Sequence, residues 1–150
     1  MSRFPSPRAV GAAGPVYAEE DMPVLSPTVE RFLGEDHIAT LTTVRPDGSP
    51  HVAPVRFTWD GAAGLARVLT VVTARKARNL LAAPGSRVAL CQAVGFRWAT
   101  LEGTAVVSDD PDRVEEGARR YARRYLSPPP SPPGRVVLEI TVDRLLSLNV

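Results

Sequence analysis

The 150-residue chain has one cysteine, two histidines, nine aromatic residues and, among 18 basic side chains, one lysine. A lone Cys91 excludes an intrachain disulfide framework and any multi-cysteine metal or iron–sulfur site, and it suits a reducing, cytoplasmic compartment. His37 and His51 are fourteen apart with no third ligand at a useful spacing, so no metal site is expected. The longest stretch of the body free of charge and proline, Val88 to Phe96, is nine residues, against the ~20 a spanning helix needs. Arg3, Arg8 and the small residues after them imitate a signal peptide only until Pro15 interrupts the run, so neither export nor a membrane span is expected. A net charge of +2 is too small to draw nucleic acid by bulk attraction, and so few aromatics, none interleaved with the basic run, make a poor stacking platform for single strands. The glycine signatures of dinucleotide binding, P-loops and serine hydrolases are all missing.

What is present is a single-domain length with 44% hydrophobic residues, enough for one core. Residues 1–26, with four prolines and two glycines, read as a disordered or loosely docked tail ahead of a domain over 27–150. Val29, Phe32 and Leu33 then mark a short amphipathic helix closed by Gly34. Six strands are predicted, over 37–44, 51–59, 65–73, 87–94, 97–107 and 136–142, the first two joined by turn chemistry at 45–49. A second helix is expected over 75–83, with Ala77, Leu80 and Leu81 inward. A third follows the Asp110-Pro111 cap signal and runs to about Leu126, with Val114, Ala118, Tyr121 and Tyr125 as its buried stripe. The run Ser127 to Gly134 can be only an extended connector. Together these elements describe a mainly β protein, a small antiparallel barrel or half-open sheet with short helices.

Charge is unevenly spread. Between Asp60 and Glu102 lie 41 residues without an acid but with Arg67, Arg75, Lys76, Arg78, Arg87 and Arg97. Three of these cations fall in the first turn of the second predicted helix, where the helix dipole makes each unfavourable by ~0.3–1 kcal/mol. A bound phosphate would reverse that sign, taking backbone N–H groups, Arg75, Lys76 and the Thr73 hydroxyl together. An exposed basic turn is the plainer alternative.

The opening helix, the strand His37 to Val44, the segment Asp47-Gly48-Ser49-Pro50-His51-Val52-Ala53-Pro54-Val55, the run Arg75-Lys76-Ala77-Arg78-Asn79-Leu80, Leu101 to Ala105 and the closing Leu138 to Ser147 follow a familiar order. In that order and spacing the chain resembles the pyridoxamine 5'-phosphate oxidase-like split-barrel family of flavin and deazaflavin oxidoreductases. The resemblance implies a six-stranded antiparallel split β-barrel that dimerises and holds FMN or the deazaflavin F420 at the subunit interface, with hydride transfer to a small-molecule substrate. It implies cofactor contacts from Pro54, Val55 and Arg56 beside the ring, from Thr73, Ala74, Arg75 and Lys76 around the phosphate, and from Trp98 as a wall. Ala53 stands where the oxidases proper carry a further phosphate-binding arginine, and their C-terminal arginine motif has no counterpart, so vitamin B6 oxidation is not expected. The Lys76 to Leu80 helix and the compact length look more like the F420 branch. A non-catalytic flavin- or tetrapyrrole-binding protein and an FMN-dependent oxidase are the alternative readings.

Overall fold

The computed structural model describes residues 18–21 and 24–150. Its elements in chain order are β1 (Ala18–Asp21), α1 (Pro27–Gly34), β2 (Ala39–Val44), β3 (Pro50–Val55), β4 (Thr58–Asp60), β5 (Leu65–Val71), α2 (Arg75–Ala82), β6 (Ser86–Val94), β7 (Arg97–Ser108), α3 (Pro111–Tyr125) and β8 (Arg135–Leu148). All strand pairs are antiparallel, in the order β3-β2-β6-β7-β8-β5-β4, with β1 also on β8. The expected class, mainly β with short helices, is the one observed.

Among the described residues there are eight strands rather than the expected six. One addition, β1, lies in the segment read as tail, the rest of whose first 23 residues fall outside the described ones. The other comes from the predicted strand over 51–59, which breaks at Arg56-Phe57 into β3 and β4. The break has a distant cause. Both backbone groups of Phe57 are taken from outside the sheet, its N–H donating to the Tyr125 hydroxyl at 3.1 Å and its carbonyl accepting from that hydroxyl at 3.0 Å and from Arg124 at 2.5 Å. A Tyr125→Phe chain would leave a buried N–H without its acceptor, so we expect a loss of about 2 kcal/mol, read as a lower urea midpoint.

Local chemistry explains the remaining boundaries. Ser26 caps α1 by accepting from the Val29 N–H, with Pro27 in the first turn where a missing N–H costs nothing. In the β2–β3 turn Gly48 adopts φ 86°, and the Asp47 carboxylate accepts from the Ser49 N–H and hydroxyl, which lowers its pKa. Asp110 caps α3 through the N–H groups of Asp112 and Arg113. Phe32 and Leu33 from α1, Ala77 and Leu80 from α2, and Leu41, Leu90, Leu101, Leu138 and Ile140 from the sheet bury together as one core. Leu81, expected inward, is instead exposed, and Asn79 takes the buried place on α2 because its amide donates to the buried Thr43 hydroxyl at 2.9 Å.

At the end of α1 the Glu35 carboxylate accepts from Arg97 at 3.0 and 3.1 Å and meets His37 at 3.1 Å. These hydrogen bonds, Arg97 first, hold its pKa at about 2. A folded-state value below the unfolded one gives stability that is complete above the ordinary carboxylate range and lost as pH falls towards 2. Glu35→Gln should therefore flatten the fall in melting temperature between about pH 5 and pH 2.

Candidate functional site

A cleft of about 340 Å³ opens where β3, the edge strand of the sheet, ends. Pro54, Val55 and Arg56 come from that edge, and Leu69, Thr70 and Val71 from the end of β5. Lys76 enters from α2 and Tyr121 from α3, while Pro129, Pro130 and Pro132 of the connector form a wall beside Arg135, the first residue of β8. Proline rings present apolar surface and no N–H donor. The connector is tied in place: the Arg135 guanidinium donates to the Pro130 carbonyl at 3.1 Å, and the Val72 N–H donates to the Gly134 carbonyl at 2.9 Å.

Arg56, Lys76 and Arg135 bring three positive charges to this cleft, and no acid lines it. Arg56 donates to the Tyr121 hydroxyl at 2.8 Å, the contact that raises its pKa most, and its guanidinium lies 4.8 Å from the Tyr125 ring centroid and 5.7 Å from that of Tyr121. The two tyrosine rings are themselves in contact, 4.9 Å apart at 49°. Lys76 is partly buried, and that burial pushes its ammonium pKa down. On the neighbouring strand His51 is held below the ordinary histidine range by burial and then by the positive charges of Arg45, Lys76 and Arg75. A cation that pays for desolvation without a carboxylate partner is poised for an anion. Several arginines elsewhere are paired with acids: Arg67 and Arg120 meet Asp60 at 2.8 and 3.0 Å, Arg113 meets Glu139 at 2.7 Å, and Arg87 meets Asp143.

Of the residues expected at a cofactor, Pro54, Val55, Arg56 and Lys76 meet in this cleft. Thr73, Ala74 and Arg75 lie at the turn into α2 and do not line it; Ala74 is the N-cap, without a side-chain hydrogen bond, and Thr73 and Arg75 are exposed. Trp98 is on β7, in register with Ala93 and Leu148, and does not line the cleft either. Sequence reasoning missed Tyr121 as a site residue, together with the proline wall and Arg135. Tyr121, expected in the buried stripe, is only half-buried because its hydroxyl is drawn out to Arg56. The signal for the wall was a stiff, proline-rich run ending in an arginine, but nothing local says what such a run leans on.

The split barrel thus carries, at one edge, a cleft lined by three cations and no acid. The pyridoxamine 5'-phosphate oxidase family model matches residues 25–149, and the chain belongs to that family. Over 122 residues it is 45% identical to the F420H(2)-dependent biliverdin reductase of Mycobacterium tuberculosis, spanning 81% of this chain and 87% of that one. Among solved structures it is similar to the conserved hypothetical protein Rv2991 of Mycobacterium tuberculosis, with a TM-score of 0.70, 25% identity and coverage of 83% and 85%. It is also similar to a protein described as an F420 reductase, with a TM-score of 0.62, 27% identity and coverage of 77% and 94%.

Proposed function

We propose that the chain is an F420H2-dependent reductase that passes a hydride to a conjugated organic acceptor of the biliverdin class. The observation that carries this reading is the acid-free cleft with three cations, on a chain 45% identical to a reductase of that description. When bound, F420H2 would supply the hydride and be left as F420 with loss of a proton to solvent, and a proton from solvent completes the reduced acceptor. The protein's part is to hold, orient and exclude water. Lys76 takes the cofactor phosphate, with Arg75 contributing from the exposed start of α2. Pro54, Val55 and the proline wall give a ring the flat apolar surfaces it needs.

At about 340 Å³ the cleft lies at the small end of ligand sites, which run roughly 300–1,000 Å³. Cofactor and acceptor together need more wall, and a second copy of the chain against the β3 edge supplies it. Val44 and Val52 on the adjoining hairpin are 46% and 59% exposed, apolar surface that such a homodimer would cover. A cytoplasmic location accompanies this reading, and no described helix is long and apolar enough to cross a membrane.

The test is titration of the purified protein with F420 and with FMN by fluorescence, followed by mixing with F420H2 and biliverdin while the deazaflavin absorbance is followed. F420 binding with acceptor-dependent oxidation of F420H2 is the expected result. FMN retention without F420 binding would replace this reading with an FMN oxidoreductase. Binding of flavin or bilin with no turnover would replace it with a non-catalytic carrier.

A further inference from the structure

In that reading Lys76 with the start of α2 takes one phosphate, which leaves two guanidinium groups lining the same cleft with no acid in the lining; Arg56 feels the charge of Asp36 but makes no ion pair with it. Each is already positioned by a neutral partner. Arg56 spends one N–H on the Tyr121 hydroxyl and rests on tyrosine faces, and Arg135 spends one N–H on the Pro130 carbonyl. A guanidinium carries five donors in a rigid fork, so both keep most of theirs for a ligand. Arg124 makes the contrast: four of its five donors go to the carbonyls of Glu35 and Phe57 and to the Gln92 side chain, which leaves only one in its half-buried place. Beside Arg56 and Arg135 stand proline rings, Val55 and Leu69, surfaces that offer an anion no competing water-like donors and strengthen a charge-assisted hydrogen bond.

We propose, resting on the functional reading above, that Arg56 and Arg135 are the specificity-determining pair of this cleft: they take the carboxylate of the acceptor, so that the protein selects carboxylate-bearing acceptors over neutral ones of the same shape. Carboxylates could also come from the glutamyl tail of F420, and the experiment separates the two sources. kcat/KM is measured for biliverdin and for its dimethyl ester, at saturating F420H2, in the parent chain and in Arg56→Gln, Arg135→Gln and Arg135→Lys. In parallel, F420 and its tail-free form are titrated into each protein.

The parent chain should prefer the diacid by roughly 10–100-fold, the range of one or two charge-assisted hydrogen bonds. That ratio should collapse towards one in each glutamine variant and recover partly in Arg135→Lys, which restores charge but not the fork. A merely structural role for Arg135, through its hold on the proline wall, would slow both acceptors and leave the ratio intact, which overturns its assignment. Equal reduction of diacid and diester by the parent chain overturns the proposal while the functional reading stands. An intact ratio, with the glutamine variants losing affinity for tailed F420 alone, also overturns it and gives the arginines to the cofactor. A parent chain that reduces neither acceptor overturns the functional reading and this proposal with it.

Discussion

A Gly103→Ala chain is expected to lose about 3 kcal/mol or more of stability and to melt roughly 6–12 °C below its parent. Gly103 sits at the bulge where the β7–β8 register shifts, after Glu102. A Cβ placed there would lie 2.0 Å from the Thr141 carbonyl oxygen, 2.8 Å from its carbon and 3.0 Å from the Val142 Cα. Those are backbone atoms, which have no rotamer to escape into. The strand that carries them is held on its other side by β5, with Thr141 paired to Leu65, so it cannot simply step back. Calorimetric melting of the two chains measures the loss; a midpoint within about 2 °C of the parent would mean that the bulge can slide along the ladder.

The second large effect concerns ligand binding. Lys76→Ala should weaken F420 binding by roughly 10–100-fold, the loss of a charge-assisted contact to phosphate in a desolvated place. Arg75→Ala should cost less than about 5-fold, because its side chain is exposed, outside the cleft lining and screened by water. The double variant should then be little worse than Lys76→Ala alone. The apo protein should not suffer: removing an ammonium that is desolvated without a carboxylate partner leaves its melting temperature unchanged or slightly higher. Phosphate needs the protonated lysine, and burial lowers its pKa. Affinity for F420 should therefore begin to fall at a lower pH than for a solvent-exposed lysine, and Lys76→Arg should move that fall upward. Fluorescence titration across alkaline pH reads all four variants, and equal losses from Lys76 and Arg75 would contradict the division of labour proposed for the cleft.

What the sequence could show was whatever depends on neighbours along the chain. The α3 cap, the Asp47-Gly48 turn and the order of strands follow from local chemistry and periodicity, and they stand where expected. The break between β3 and β4 does not, because it depends on Tyr125 and Arg124, more than sixty residues away. Lys76 was legible as part of an acid-free run, since a local excess of charge is visible without a fold. Tyr121 was not, because apolar periodicity assigns a tyrosine at that position to the core, and only the folded chain sets its hydroxyl against Arg56. Trp98, expected as a wall of the ring pocket or of the partner subunit, stands on β7 opposite Ala93 and Leu148 and outside the lining of this chain's cleft.

The placement of β8 has a consequence for biosynthesis. It comes last among the eight strands, yet it lies between β7 and β5 and also receives β1. While the chain is still being translated, the β4–β5 hairpin and the β3-β2-β6-β7 ribbon have nothing to join them, and each shows an open strand edge to its surroundings. Closure of the sheet and completion of the cleft, which needs Arg135, therefore arrive together in one late step dominated by contacts far apart in sequence. Nascent chains should stay sensitive to protease and dependent on chaperones until this strand clears the ribosome, and a chain stopped at Gly134 should accumulate as aggregate rather than as a weakened reductase.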